Sequence, residues 1–264
     1  TSSRTDGLLH TCGRQERKQS VVLAINEGQD CALTLCGQNR ECTMKGFDHL
    51  LQLPLFMGMA RDDLQQIVAH TKFDFFKHPA NANVITDGDR CEAVVIMTHG
   101  IISMEKWSDD RGYSILETLK APFILQLEHL FGLHQRYSAT FTTLSPCNFI
   151  SISKQEIMFL FEQFDVFRIN YLNILAAKAQ KAQSRIWHPA LTDDRSRILN
   201  FFLSHCIHPA GRKEFTILMT RLATEINASR LDVSRVLNKM QQEGLIELHR
   251  GRIIIPELHQ LIIS

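Results

Sequence analysis

The chain has 264 residues, of which 44% are hydrophobic and 22% are charged, and its formal net charge is +1. These proportions are those of an average globular protein, so they exclude intrinsic disorder, a collagen-like rod and a coiled-coil rod. No apolar run reaches the roughly 18 residues of a membrane helix, and the start lacks a signal-peptide pattern, so we expect a cytoplasmic protein without a membrane partner. The seven cysteines are an odd number, which argues against a disulfide framework.

Residues 1–46 show little hydrophobic periodicity, and the first methionine of the chain is Met44. We therefore interpret residues 1–46 as an N-terminal extension, either a tag or a flexible tail. From Phe47 onwards, short amphipathic segments predict helices that cover the domain after them.

From residue 72 the chain turns to short runs of β-branched and aromatic residues, separated by turn sequences such as Asp87-Gly88-Asp89 and His99-Gly100. Closely spaced short strands of this kind are typical of an antiparallel barrel, roll or sandwich. The predicted strands are 72–76, 83–85, 93–97, 101–106, 113–119, 139–144 and 149–152. An all-β domain is expected here.

A long helix is predicted over residues 166–187, and one of its stripes repeats at alternating spacings of three and four residues. That stripe consists of Ile169, Leu172, Ala176, Ala179, Gln183 and Ile186. Its small alanines favour close approach of two helices, so we predict a seam between two copies of the chain. The alternative is a helix that packs only on its own domain.

Near the C-terminus, residues 220–226 predict a short helix, 227–229 a turn and 230–242 a second helix. On a helical wheel the second helix has an apolar side and an opposite side that carries arginine, serine and asparagine. Two short helices joined by a tight turn predict a helix-turn-helix whose second helix enters the major groove of DNA. Arginine can bind guanine through two hydrogen bonds, and asparagine can pair with adenine.

A β-hairpin with a basic tip is predicted after Gly244, as a wing that can touch phosphates. The predicted DNA-contacting residues are Arg221, Ser229, Arg230, Leu231, Ser234, Arg235, Asn238, Arg250 and Arg252. Residues 189–264 carry 10 basic and 8 acidic side chains, a mild excess that suits a polyanionic partner. The alternative is an outer helix face that is simply solvated.

These residues resemble a known family. Ser229-Arg230, four further residues, Arg235-Val236-Leu237, then Gly244-Leu245-Ile246 and a hairpin are similar to the winged helix-turn-helix of the CRP/FNR family of bacterial transcription regulators. The resemblance covers residues 47–264. It implies an α+β fold with an antiparallel, cyclic-nucleotide-binding-like β-roll over 47–165, a dimerisation helix over 166–188 and a winged helix-turn-helix over 189–264. It also implies a homodimer on a two-fold symmetric operator, an effector sensed by the roll, and RNA polymerase as a partner.

The same resemblance argues against cyclic AMP as the effector. Members that bind cyclic nucleotides have a Gly-Glu pair and an arginine in their phosphate-binding cassette, whereas the aligned positions here hold Leu125-Gln126 and Tyr137. Neighbouring charges could substitute if the loop is reshaped, since the ligand needs a cation and a ribose acceptor. The candidate effector-pocket residues are Gln126, Glu128, Arg136, Tyr137 and Ser138.

A redox or nitrosative signal is the other effector hypothesis, and the cofactor stays open between haem and an iron–sulfur cluster. Haem ligands could come from His129, His134 and Met97. A cluster could use Cys31, Cys36 and Cys42, with Cys12 before them and Cys91 or Cys147 in the roll. His205, Cys206 and His208 have a loosely metal-like spacing, but their helical position favours packing.

The sequence therefore predicts a homodimeric, sequence-specific transcription regulator whose roll sets the orientation of the two DNA-reading helices. The alternative is a ligand-binding or dimerising sensor module with vestigial DNA contacts. An enzyme is not expected, because no paired carboxylates, activated nucleophile or phosphate loop occupies an assignable site.

Overall fold

The computed structural model describes residues 20–21, 50, 52–184 and 193–263. The first part is a β-roll of antiparallel strands, as the sequence predicts. Its strands are β1 (Ser20–Val21), β2 (Phe73–His78), β3 (Asn83–Ile85), β4 (Ala93–His99), β5 (Ile101–Trp107), β6 (Ser114–Lys120), β7 (Phe123–Leu125), β8 (Thr140–Thr143) and β9 (Cys147–Ser153). One sheet has the order β1-β2-β9-β4-β7, and the other side of the roll has β6-β5-β8-β3.

The seven predicted strands are all present, with ends shifted by at most two residues, while β1 and β7 were not predicted. Strand β1 lies in the segment interpreted as a tail, and it pairs with β2 through Ser20–Asp74 and Val21–Phe73. The turn at Gly100 requires glycine. Its φ is +107°, and a Cβ atom there would lie 2.5 Å from the Cys147 sulfur, so only glycine fits.

Helices bracket the roll: α1 (Arg61–His70) precedes it, and α2 (Lys154–Gln163) and α3 (Asp165–Ser184) follow it. Helix α3 packs on the roll through Phe167 and Tyr171, which are buried, and the Tyr171 hydroxyl donates to the Leu127 carbonyl at 3.2 Å. The opposite face of α3 is solvent-exposed, with Ile169 and Leu172 more than half accessible. No helix in the described ranges is long and apolar enough to cross a membrane.

The C-terminal part is a winged helix-turn-helix. Its elements are α4 (Asp194–His205), β10 (Lys213–Thr216), α5 (Met219–Glu225), α6 (Arg230–Gln242), β11 (Glu247–His249), β12 (Arg252–Ile255) and α7 (Gln260–Ile263). Helix α6 has the predicted bounds, and the β11–β12 hairpin is the predicted wing. A separate hydrophobic core lies under α4, α5 and α6, around Phe202, Leu222 and Leu237.

The two parts share one sheet, which the sequence does not predict. Strand β10 pairs on one side with β12 of the wing and on the other with β6 of the roll. The resulting seven-stranded sheet has the order β11-β12-β10-β6-β5-β8-β3. The winged helix is therefore attached to the roll of its own chain by backbone hydrogen bonding as well as by α3.

Candidate DNA-binding surface and sensor pocket

Helix α6 turns a polar and basic face to solvent. Val233, Leu237 and Met240 are buried on its inner side. The side chains on the outer side are those expected from the helical wheel, with Arg230, Leu231, Arg235 and Asn238 exposed and Ser234 half-buried. Leu231 is 75% exposed, although it is apolar. An exposed leucine flanked by arginines is a surface suited to a partner with both apolar and anionic groups.

The first turn of α6 is held by an acidic residue that sequence reasoning missed. Ser229 caps the helix: its hydroxyl accepts from the Asp232 backbone amide at 3.1 Å and donates to the Asp232 carboxylate at 2.6 Å. The other carboxylate oxygen accepts from Arg235 Nη1 at 2.9 Å. A serine cap followed three residues later by an acid is a sequence signal that could have identified Asp232.

The wing extends this surface. Arg250 is exposed at its tip, next to Gly251 with φ of +72°. Arg252 is also exposed, and its Nε lies 3.0 Å from a carboxylate oxygen of Glu214 in the neighbouring strand. We call the outer face of α6 together with the tip of the wing, that is Arg230, Leu231, Ser234, Arg235, Asn238, Arg250 and Arg252, the reading surface.

Arg221, the remaining predicted DNA contact, lies apart from the reading surface. Its guanidinium is 2.8 Å from Asp110 in the β5–β6 turn of the roll and 2.6 Å from Glu225. It also lies over the ring of Tyr113. Helix α5 turns this position toward the roll, so two carboxylates already engage the charge of Arg221.

In the segment that aligns with the family's phosphate-binding cassette, which we call the cassette, polar side chains hydrogen-bond one another. Gln126 is buried and has a φ of +38°. Its Oε1 accepts from the Ser138 amide at 2.9 Å, and its Nε2 donates to the Ser138 hydroxyl at 3.0 Å. The same hydroxyl lies 3.3 Å from Nε2 of His129. The polar atoms at these two predicted pocket positions are therefore satisfied without a ligand.

The other predicted pocket residues point in different directions. Glu128 forms an ion pair with Lys178 of α3. Arg136 donates to the Gly88 carbonyl at 2.6 Å, at the exposed turn between β3 and β4. The Tyr137 hydroxyl donates to the Ala93 carbonyl, and burial raises the pKa of Tyr137. Glu128 and Arg136, which could have replaced the ribose acceptor and the phosphate cation, are thus engaged by different partners.

The cofactor candidates have no assembled site in the described residues. Cys12, Cys31, Cys36 and Cys42 lie outside those residues. Cys91, Cys147 and Cys206 are buried, and burial raises the pKa of Cys91. Across residues 52–184 and 193–263, no three histidine, cysteine or acidic side chains gather as a metal site. His129 and His134 are near each other, since His129 Nδ1 lies 3.4 Å from the His134 carbonyl, whereas Met97 is fully buried.

His205 serves packing, as predicted for its helix. Its Nε2 lies 3.0 Å from the Tyr113 hydroxyl, and its ring centroid is 4.3 Å from that of Phe201. The seam residues Ile169, Leu172, Ala176, Ala179 and Gln183 all lie on the exposed side of α3, while Ile186 falls outside the described residues.

Two family models match consecutive parts of the chain. Residues 75–164 match the cyclic nucleotide-binding domain, and residues 196–262 match the Crp-like helix-turn-helix domain. The matched regions correspond to the roll with α2 and to the winged helix-turn-helix.

Two curated relatives align with about two thirds of the chain. The chain is 23% identical over 185 residues to the cAMP-activated global transcriptional regulator CRP of Pasteurella multocida, covering 68% of this chain and 88% of the relative. It is 23% identical over 188 residues to the cAMP-activated regulator Vfr of Pseudomonas aeruginosa, covering 68% and 87%. Among solved structures, the catabolite activator protein of Thermus thermophilus has a TM-score of 0.43 at 18% identity, covering 80% of this chain and 97% of the other. Since a cyclic nucleotide-binding domain is followed by a Crp-like helix-turn-helix domain in this chain, the chain belongs to the CRP/FNR family of DNA-binding transcription regulators.

Proposed function

We propose that this protein is a homodimeric regulator that binds a two-fold symmetric operator in the cytoplasm and recruits or blocks RNA polymerase there. The observation that carries the proposal is the reading surface: a capped helix α6 whose Arg230, Arg235 and Asn238 face solvent beside a basic wing. In a helix-turn-helix, this is the face that enters the major groove. Its function is to regulate transcription rather than to catalyse a reaction.

Each group on the reading surface suits a distinct contact. Arg230 and Arg235 can each donate two hydrogen bonds to guanine, and Asn238 can pair with adenine. Leu231 can offer only an apolar contact, for example to a thymine methyl group. Ser234, Arg250 and Arg252 can position the domain on phosphates, together with Ser229 at the N-cap of α6. Because Arg221 is engaged by Asp110 and Glu225, we leave it out of the proposed contacts.

The dimer is proposed to form through the exposed face of α3. Leu172 is 56% exposed and Ile169 is 53% exposed, in line with Ala176, Ala179 and Gln183. Two copies of this face would bury the leucines and let the alanines approach closely. The alternative of a helix that serves only its own domain is less consistent with so much accessible apolar surface.

The effector is proposed to differ from cyclic AMP. The names of the relatives CRP and Vfr describe them as cAMP-activated. In this chain, however, the side chain of Gln126 hydrogen-bonds Ser138 at the cassette, and the two charged substitutes are paired elsewhere. A redox or nitrosative signal remains the working hypothesis, with haem or an iron–sulfur cluster as its carrier.

The test of DNA reading compares two cations on one helix. An operator is first selected from a pool of random duplexes, and binding is then measured against a scrambled duplex over a range of salt concentrations. Arg235→Ala is expected to cost about 1–3 kcal/mol on the operator and little on the scrambled duplex. The matched control, Lys239→Ala, removes an exposed cation of α6 that is outside the reading surface and should leave the discrimination unchanged.

Two outcomes would contradict the proposal. Equal losses on operator and scrambled DNA would reduce Arg235 to a phosphate contact. If the wild-type protein enriches no sequence at all, the alternative function holds, namely a sensor module with vestigial DNA contacts.

A further inference from the structure

A buried ion pair lies where the shared sheet passes from the roll to the winged helix. In the pairing of β10 with β6, Lys213 is opposite Glu117 and Phe215 is opposite Ile115. Lys213 Nζ lies 2.8 Å from Glu117 Oε1, and both side chains are completely inaccessible to solvent. The two charges come from different domains of one chain.

Further hydrogen bonds complete this pair. The Glu117 carboxylate also accepts from the backbone amides of Ile207 and His208, at 2.9 and 3.0 Å. Lys213 also donates to the Ala210 carbonyl at 2.8 Å. A carboxylate with three donors and an ammonium with two acceptors satisfy most of their bonding capacity, which is the condition under which charges tolerate burial. Such a network favours a single register of β10 against β6, because a shift of one strand along the other would leave a buried charge unpaired.

A second set of contacts joins the two domains at the other end of the β6–β10 pairing. Tyr113 directly precedes the roll strand β6, and Ile115 is its second residue. Both are part of the hydrophobic core of the winged helix. The Tyr113 hydroxyl reaches His205 of α4 at 3.0 Å, and Asp110 reaches Arg221 of α5 at 2.8 Å. We call the β6–β10 pairing with Glu117, Lys213, Tyr113 and Arg221 the junction.

The junction leaves the outer face of α6 free. Arg230, Leu231 and Arg235 are exposed, and Asp232, to which Arg235 donates, lies within α6 itself. The attachment of the winged helix to the roll therefore covers α4, α5 and β10 but not the outer face of α6. This arrangement is compatible with docking on DNA, so it need not be undone before binding.

We propose that Glu117 and Lys213 are positioning residues for DNA reading. Through the junction they fix α6 on the roll of its own chain, so that a dimer holds its two recognition helices at one separation and one relative rotation. The inference rests on the proposed function, because it requires a dimer that reads two half-sites. The spacing preference of the operator would then depend on a buried ion pair that lies outside the reading surface.

Half-site spacing is the property that such a coupling controls. Inserting two base pairs between half-sites moves them apart by about 7 Å and rotates one by about 70°, since a turn of DNA has about 10.5 base pairs. A rigid dimer loses its second contact, whereas a dimer with loosely tethered heads keeps it. We therefore expect the wild-type protein to bind the spaced operator at least about tenfold more weakly than the selected one.

The test uses the full chain, the selected operator and the same operator with two inserted base pairs. In Glu117→Gln/Lys213→Met both charges are removed, while the glutamine oxygen can still accept from one of the two backbone amides that Glu117 binds. Its spacing penalty should fall below about threefold, with binding to an isolated half-site unchanged. The matched control is Lys120→Met, which makes the same lysine substitution at an exposed position of β6 and should keep the full penalty.

A second double variant tests the junction if the first variant does not fold. Tyr113→Phe/Arg221→Gln removes two polar contacts of the junction but leaves the buried pair, and we expect a penalty reduced by about threefold. The inference is overturned if a folded Glu117→Gln/Lys213→Met dimer retains the wild-type penalty. It is also overturned if that variant does not fold and the second variant shows no reduction. If wild-type protein selects no operator, the proposed function fails instead.

Discussion

Asp232 places a carboxylate on the surface proposed to face DNA phosphates. It pairs with Arg235 and with the Ser229 hydroxyl, and it sits in the first turn of α6, where a negative charge stabilises a helix. The same charge opposes attraction to any DNA backbone. We infer that Asp232 restrains Arg235 until a base edge competes for it, which favours specific over nonspecific binding.

Asp232→Asn should therefore raise affinity for scrambled DNA severalfold and steepen its salt dependence by about one unit of slope, because Arg235 becomes free to contact phosphate. Fluorescence anisotropy in a salt titration measures both effects. The matched control is Asp165→Asn, which breaks a like i,i+3 pair with Arg168 at the start of α3, remote from the reading surface. Unchanged binding of Asp232→Asn to scrambled DNA would refute the restraining role.

Gln126 also bears on which effector the roll can bind. With its amide hydrogen-bonded to Ser138, the cassette lacks both a free acceptor for a ribose hydroxyl and an aligned cation for a cyclic phosphate. A loss of about 4 kcal/mol would move a micromolar site to roughly millimolar affinity. Isothermal calorimetry with micromolar cyclic AMP should therefore record no binding. A micromolar isotherm that Arg136→Ala abolishes would show that the loop rearranges into a nucleotide site.

Helix α3 has two faces that make different contacts. Phe167 and Tyr171 attach it to the roll, while Leu172 and Ala176 face away. A glutamate in the proposed seam would bring two like charges together in an apolar contact, at a cost of several kcal/mol.

Ala176→Glu should consequently convert the dimer to a monomer in light scattering. Ala177→Glu is the matched control, because it introduces the same charge at an exposed position about 100° around the helix from Ala176. A stable Ala176→Glu dimer, or dissociation of both variants, would argue against this seam.

Local patterns predicted some elements well and missed others for a physical reason. Helix α6 was found with its correct bounds because its cap, its apolar side and Gly244 beyond its end are all local signals. Strand β10 was missed because it is short and one of its two buried positions is a lysine. Lys213 is buried only because Glu117, 96 residues earlier in the chain, supplies the opposite charge. Burial that depends on a distant partner cannot be read from the periodicity of one segment.

In the whole molecule, the candidate site is also only partly predictable, because contacts between distant segments cannot be read from local patterns. The reading surface could be predicted because one helix and one hairpin carry it. Arg221 could not be placed, because its partner Asp110 belongs to a turn of the roll. The effector pocket could be anticipated only as a departure from a family pattern, since whether Gln126 faces Ser138 depends on the folded loop.

His208 links the junction to pH. Its ring packs edge-on against Phe123, and desolvation lowers its pKa from 6.5; Glu117 opposes this shift, whereas Lys181 and Lys213 add to it. As pH falls below about 6.5, the unfolded chain takes up a proton more readily than the folded one, so stability is lost. Above that pH the neutral ring contributes no such difference.

Wild-type protein should thus lose more stability than His208→Asn between pH 7.5 and 5.5. Urea unfolding of both proteins at the two pH values gives the difference, and the eleven other histidines of the chain cancel in the comparison. An equal loss in both proteins would mean that His208 does not sense acid.

The seven-stranded sheet also limits how this protein can be divided or recombined. Although its two domains match separate family models, parting them would open the edges of β6 and β10, and open strand edges promote aggregation. Each fragment would also expose a charge that is buried in the whole chain, Glu117 in the roll and Lys213 in the winged helix. A chimaera that joined this roll to another regulator's winged helix would place Glu117 opposite whatever residue that domain offers. The two modules are therefore expected to be exchangeable only as a pair.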